Sequence, residues 1–204
     1  MGHYDVIVMG GGPGGYIAGE RLAHAGLKVL VAERESLGGT CLNVGCIPTK
    51  SLLNGAKLYA HALHGTQFGV TASGVSYDWD AMQAWKTKTV DTLVGGVGAM
   101  LKRLGCEVVK GHATLIGPGV VDVDGVRHTS THVIVATGSE PVLPPIPGCR
   151  DNPRVVDSTG LVAVPEVPKR LAVIGGGVIG VEFASLFAAL GAQVTVVEMM
   201  AEVC

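Results

Sequence analysis

Apolar and polar positions along the chain fall into two matching cycles. Residues 6–34, VIVMGGGPGGYIAGERLAHAGLKVLVAER, run from an apolar strand through a glycine turn into a helix, then through a short Gly-containing turn into a second apolar strand. Residues 171–199, LAVIGGGVIGVEFASLFAALGAQVTVVEM, align with them without a gap. Gly10, Gly12, Gly15, Gly26, Val29 and Glu33 fall on Gly175, Gly177, Gly180, Gly191, Val194 and Glu198. Each copy predicts a βαβ unit. Between the copies, Met82, Trp85, Val90, Leu93, Val97, Met100, Leu101 and Leu104 recur near helical spacing and predict a helix from Trp79 to Leu104. Gly95, Gly96 and Gly98 each cost such a helix about 1 kcal/mol relative to Ala, which predicts close packing against a neighbour or a break. Trp79 and Trp85 read as core or interface residues. Residues 107–135 alternate apolar and polar positions around Gly-Pro-Gly at 117–119 and Asp-Gly at 124–125, the pattern of a small antiparallel meander. Thr131–Gly138 (THVIVATG) reads as a further buried strand returning to the first sheet. Pro141, Pro144, Pro145, Pro147, Pro165 and Pro168 mark a connection.

Composition narrows the class. The 204 residues are 48% hydrophobic and 16% charged, ample for a packed core, and 31 are glycine without a triplet period, so the chain is not collagen-like. A net charge of −2 gives no general attraction to nucleic acid or to an anionic membrane. No apolar run is long enough to span a bilayer. The start, Met-Gly-His-Tyr-Asp, lacks the positive flank of a secretory signal, and Val6 breaks the myristoylation pattern. Cysteines at 41, 46, 106, 149 and 204 form no even, closely spaced framework, which favours a reducing, intracellular compartment.

The glycine turns carry the first chemistry. A lone G-x-G-x-x-G is weak evidence, but here each copy follows a strand, opens a helix and has an acid at the end of the next strand. That is the context of a dinucleotide fingerprint. The first glycine permits the tight turn, the second lets a diphosphate approach the backbone, and the third lets helix and sheet pack closely. Exposed N–H groups and the helix dipole favour the anionic pyrophosphate. Glu33 and Glu198 are placed to accept hydrogen bonds from a ribose diol. At the second turn a carboxylate suits the 2′-hydroxyl of NAD and repels the 2′-phosphate of NADP, and Met199 and Met200 offer no cation to reverse that preference.

The second chemistry lies in GGTCLNVGCIPTK, residues 38–50. In a regular helix the Cα atoms of Cys41 and Cys46 would stand about 8.6 Å apart, beyond the roughly 7 Å reach of a disulfide. A bridge needs an irregular segment, and Gly45 and Pro48 are suitable disruptors. So short a loop gives an entropic gain of only about 2 kcal/mol on the chain-entropy model, a poor staple but a sensible two-electron switch. Two buried inert thiols are the alternative. A zinc site is disfavoured because no second cysteine or histidine pair accompanies these two, and His61 and His64 read as solvated helix residues. Cys106, Cys149 and Cys204 read as structural or incidental.

GGTCLNVGCIPTK following such a fingerprint resembles the active-site signature of the pyridine nucleotide–disulfide oxidoreductases. Trp85-Lys86 with the Gly-Gly-Val-Gly helix, ATGS at 136–139 and GGGVIGVEFAS at 175–185 resemble its lipoamide-linked branch most closely. The resemblance covers the whole chain. It implies an α/β fold: a Rossmann-like FAD-binding domain with a small antiparallel meander over residues 1–145, a connection over 146–170, and an incomplete, Rossmann-like NAD-binding domain over 171–204. FAD would bind through Gly10, Gly12, Gly15 and Glu33, with Thr40, Lys50, Ala113, Thr137, Gly138 and Ser139 in further flavin-contact segments. Gly175, Gly177, Gly180 and Glu198 would present NAD. Cys41 would exchange with a dihydrolipoamide dithiol, and Cys46 would sit against the flavin as a charge-transfer thiolate. Lys50 and Glu182 match a Lys–Glu pair near the reactive flavin nitrogen. The thiolate is the nucleophile in such exchange, and the cofactor carries the hydride chemistry.

The same resemblance implies partners. These are dihydrolipoamide on a lipoyl domain, the acyltransferase core of a 2-oxo acid dehydrogenase complex, and a second copy in a homodimer, in the cytoplasm or, in a eukaryote, the mitochondrial matrix. Family members are much longer, and the acid–base His–Glu pair of their C-terminal domain has no counterpart here. A polypeptide of these 204 residues alone is therefore expected to turn over little dihydrolipoamide. Three other readings compete: a mercuric reductase, a glutathione reductase-like enzyme and a non-catalytic flavin-binding module. Glu198 fits the NADP preference of the mercuric enzymes poorly, and no basic residues follow the second strand as they do in the glutathione enzymes.

Overall fold

The computed structural model describes residues 2–204. In chain order its elements begin with β1 (His3–Met9), α1 (Pro13–His24), β2 (Val29–Glu33), α2 (Gly39–Asn43) and α3 (Cys46–His64). A single 3-10 turn (Gly65–Phe68), α4 (Trp79–Arg103), β3 (Glu107–Lys110), β4 (Ala113–Gly117), β5 (Val120–Val123) and β6 (Val126–Val135) follow. The last are α5 (Ser158–Leu161), β7 (Arg170–Ile174), α6 (Val178–Ala189) and β8 (Gln193–Val197). Packing divides the chain into two units, one running to Cys46 and resuming over Val90–Val142, the other formed by Ile47–Thr89 and Leu143–Cys204.

The first unit is a six-stranded sheet in the order β3-β2-β1-β6-β5-β4. Strands β3, β2, β1 and β6 are parallel, and β6, β5 and β4 form an antiparallel meander. Val6–Met9 and Val29–Ala32 are buried, the continuous apolar pattern of inner parallel strands covered on both faces. Gly19 lets α1 approach: a Cβ there would stand 3.0 Å from Val31 Cγ2 and 3.5 Å from Leu101 Cδ2. Cys106 is buried nearby and donates its thiol to the Gly19 carbonyl at 3.5 Å. Burial pushes that thiol's pKa up, so it is a structural residue rather than a nucleophile.

Two expectations need correction. Residues 107–110 are not part of the meander; β3 pairs in parallel with β2, Leu30 opposite Glu107 through Glu33 opposite Lys110. Residues 131–135 are not a separate strand either. They are the second half of β6, whose first half pairs antiparallel with β5 and whose second half pairs in parallel with β1. Alternation reports which faces a strand shows, not which neighbour it takes, so the switch from meander to parallel sheet within one strand leaves no local mark. Nor is the second half of β6 buried: Val133 and Ile134 are half-buried and Val135 is 63% exposed.

The second unit packs α3, the first turns of α4, α5 and the β7-α6-β8 cycle around Leu52, Ala56, Trp79, Leu161, Val162, Phe183, Leu186, Phe187 and Leu190. Trp79 is buried, donates its indole N–H to the Val164 carbonyl at 3.1 Å and tilts against Phe187. Trp85 is 61% exposed, with Lys88 Nζ 5.9 Å from its ring centre. Within the Pro-rich connection Asp157 caps α5, its carboxylate accepting the Gly160 N–H at 2.8 Å. Strands β7 and β8 form a two-stranded parallel sheet. Helix α4 runs unbroken through Gly95, Gly96 and Gly98, and only at Gly98 would a Cβ come near another side chain, 3.7 Å from Leu37 Cδ1. Nothing in the fold explains Gly95 and Gly96. Among the described residues, no helix is long and apolar enough to cross a membrane and no group of His, Cys, Asp and Glu is placed to hold a metal.

Candidate functional site: two glycine turns and a cysteine segment

Both glycine turns have the geometry their spacing predicts. Gly10 and Gly175 hold φ of 103° and 106°, a region L side chains rarely enter. A Cβ on Gly15 would lie 1.7 Å from the Gly10 carbonyl oxygen, and one on Gly180 would lie 2.0 Å from that of Gly175. The third glycine of each motif is thus required by packing within the turn itself. Gly12 and Gly177 are the N-caps of α1 and α6, both extended and without a side chain between the helix N-terminus and solvent. This leaves first-turn N–H groups open to an anion.

The two acids close their own turns. Glu33 Oε2 accepts the Gly11 N–H and its Oε1 the Glu35 N–H, both at 2.7 Å. Glu198 Oε2 accepts the Gly176 N–H at 2.5 Å, and its Oε1 accepts those of Met199 and Met200 at 2.7 Å. The N–H groups of Met200, then Gly176, with Met199 adding, hold the Glu198 carboxyl below the usual carboxylate range. A carboxylate offers about four lone-pair sites, so each acid keeps acceptor capacity for a ribose hydroxyl.

A small cleft of about 110 Å³ opens over the end of β1, lined by Met9, Gly10, Ala32, Glu33, Arg34, Gly111, His112, Ala113 and Thr137. It brings together Gly10, Glu33, Ala113 and Thr137 of the predicted residues. Gly138, with φ 77°, and Ser139 continue the chain beyond Thr137. Arg34 and His112 were not foreseen. They reach the cleft from the end of β2 and from the β3–β4 connection, a juxtaposition that no sequence spacing encodes.

The cysteine segment is docked on the first glycine turn. Gly38, at φ 91°, donates its N–H to the Gly11 carbonyl at 2.8 Å. Gly39 sits so close that a Cβ would meet Gly12 Cα at 2.7 Å. Cys41 is half-buried in α2, which ends at Asn43, and the exposed Cys46 opens α3. The two lie close together. The irregular segment is Val44-Gly45, where Gly45 packs tightly: a Cβ would stand 3.0 Å from the Thr40 carbonyl oxygen. Pro48 breaks nothing. It sits buried in the first turn of α3, where its missing N–H costs no intrahelical bond. In the second unit Lys50 Nζ lies 2.7 and 2.9 Å from the two oxygens of Glu182, joining α3 and α6 in an ion pair one turn into each helix.

A packing account leaves the position of the cysteines unexplained, whereas a dithiol oxidoreductase working with dinucleotides needs them beside a glycine turn. Residues 4–204 match the family model described as pyridine nucleotide-disulphide oxidoreductase, and the chain belongs to that family. It is 44% identical over 200 residues to the dihydrolipoyl dehydrogenase of Mycoplasma pneumoniae, covering 96% of this chain and 44% of that one. It is 45% identical over 202 residues to the mitochondrial dihydrolipoyl dehydrogenase of Dictyostelium discoideum, covering 95% and 41%. The solved HOCl-induced flavoprotein disulfide reductase RclA from Escherichia coli superposes with a TM-score of 0.84 at 33% identity, over 98% of this chain and 43% of that one. The chain spans less than half the length of these relatives.

Proposed function

We propose that this chain is the part of a dihydrolipoyl dehydrogenase that binds FAD, begins the NAD site and carries the Cys41–Cys46 redox pair. The observation that carries the reading is the docking of the cysteine segment on the first glycine turn through Gly38 and Gly39. The turns fit dinucleotides by their own geometry: a cradle that a Cβ would fill at Gly15 and Gly180, open helix N-termini, and acids at the ends of β2 and β8. Gly10, Gly12, Glu33, Ala113, Thr137, Gly138 and Ser139, with Thr40 and Lys50, would hold FAD. Gly175, Gly177 and Glu198 would hold NAD, the carboxylate taking the ribose and repelling a 2′-phosphate.

The residues of the chain account for the dithiol half of the reaction. A thiolate of dihydrolipoamide attacks Cys41 Sγ, breaks the Cys41–Cys46 bond and releases Cys46 as a thiolate. The second substrate thiolate closes the lipoyl disulfide and releases Cys41, so two electrons move from the substrate to the pair. Bound FAD supplies the two-electron relay from the thiols to a nicotinamide. Glu182 fixes the Lys50 ammonium, one turn beyond Cys46 on α3, as an oriented cation. In this role the protein is the E3 component of 2-oxo acid dehydrogenase complexes, taking its substrate from a lipoyl domain on the acyltransferase core and acting as a homodimer.

The test is NADH-dependent reduction of lipoamide, glutathione disulfide and mercuric ion by the longest polypeptide carrying this sequence, beside its Cys41→Ser and Cys46→Ser variants. Lipoamide turnover that both variants abolish supports the reading. Turnover of glutathione disulfide or mercuric ion alone, or lipoamide turnover untouched by either serine, overturns it.

A further inference from the structure

Donors from successive turns of α4 converge on one short stretch of chain. Trp79 Nε1 donates to the Val164 carbonyl at 3.1 Å. One turn on, Gln83 Nε2 donates to the Val162 carbonyl at 3.3 Å and lies 3.5 Å from that of Val164. A turn further, Lys86 Nζ donates to Gln83 Oε1 at 2.6 Å and to the Val162 carbonyl at 3.2 Å. All these residues belong to the second unit, where α4 clasps the chain between α5 and β7.

The lysine is the odd member of this clasp. Lys50 faces two carboxylate oxygens, a partner suited to an ammonium. Lys86 faces two neutral amide oxygens instead. An ammonium carries three N–H groups, one more than these acceptors take, whereas an amine carries two, and both are matched. The half-buried site therefore suits the neutral amine, and desolvation lowers the pKa of the group in the same direction. With both N–H groups engaged, the direction left open at nitrogen is that of its lone pair.

We propose that Lys86 is a covalent modification site, an amine that takes acyl groups from small thioesters. The nitrogen lone pair adds to the thioester carbonyl, the C–S bond breaks as the C–N bond forms, and the proton shed by nitrogen leaves with the thiol. Nothing is oxidised or reduced. The product amide keeps one N–H where the amine had two, so one acceptor is released and the clasp on residues 162–164 is weakened. The source of thioester rests on the reading above, because an acyltransferase core handles acyl groups on lipoyl thiols. The reactivity of the amine does not depend on it.

The experiment incubates the longest polypeptide carrying this sequence with S-acetyl-N-acetylcysteamine and follows each lysine by peptide mass spectrometry. Lys86 is expected to acetylate at least about fivefold faster than the exposed Lys57. Its rate should level off at a lower pH than that of a lysine in a short peptide. Gln83→Glu puts a carboxylate in place of the neutral acceptor and is expected to slow Lys86 about tenfold while leaving Lys57 unchanged. Lys86 no faster than Lys57, a pH profile like the peptide's, or a rate indifferent to Gln83→Glu overturns the proposal and leaves Lys86 a structural cation. NADH-dependent lipoamide reduction is assayed on the same preparation. Lipoamide turnover without selective acetylation overturns the site and leaves the proposed function standing. Selective acetylation without lipoamide turnover supports the amine and overturns the lipoyl source.

Discussion

The two βαβ cycles share one turn geometry and differ in everything around it. Gly10 and Gly175, Gly12 and Gly177, and Glu33 and Glu198 superimpose in role, with nearly equal dihedrals and the same clasp from acid to glycine N–H. Yet β1 and β2 are buried in the middle of a six-stranded sheet, whereas β7 and β8 form a sheet of two and bury only alternate residues in part. A Cβ on Gly10 would run into the Ala136 carbonyl oxygen at 2.1 Å, while one on Gly175 would meet nothing within 4 Å. The turn is a local construction, fixed by glycine dihedrals and an acid, and what differs is how closely other backbone packs against its first glycine.

The largest expected consequence is at the first glycine. Gly175→Ala bears only the cost of a side chain at positive φ, about 1–3 kcal/mol. Gly10→Ala bears that cost and a clash with backbone that cannot rotate away, which adds at least about 2 kcal/mol. Denaturant melts of the two variants should show this order, and equal losses would remove the difference between the cycles. A smaller effect concerns the second acid. Because the Glu198 carboxyl is held below its unfolded value, its clasp is fully present above the ordinary carboxylate pKa near about 4.3 and is lost as pH falls through the lower folded value. Hydrogen exchange at Gly176, Met199 and Met200, corrected for intrinsic rate, should lose protection over that acid range, and Glu198→Gln should flatten the profile. Amides equally protected in the variant would show that the loop holds itself without the acid.

What the sequence disclosed follows the same division. Most of what is local is legible: both glycine turns, the acid after each, the helix from Trp79 and the irregular segment at Gly45, though Pro48 and Gly95-Gly96 interrupt no helix. What depends on distant neighbours is not. The single strand β6 serves both the meander and the parallel sheet, and its alternation cannot name its partners. Helical spacing placed Trp79 and Trp85 alike, but only the α6 side chain Phe187 and the Val164 carbonyl give Trp79 a buried partner. Arg34 and His112 went unseen because the cleft they line exists only once β2, β3 and β6 are assembled. Lys50 and Glu182 are 132 positions apart; their pairing came from family resemblance and not from any spacing within the chain.

On the proposed reading, a dithiol pair stands beside a bound flavin on the first turn and not the second. Anaerobic dithiol titration of the FAD-loaded protein, followed by visible spectroscopy, tests it most directly. The expected result is a long-wavelength thiolate-to-flavin band that grows with two electrons, is absent in Cys46→Ser and persists in Glu198→Gln. A protein that stays colourless after FAD is added, or whose flavin bleaches without that band, would contradict it.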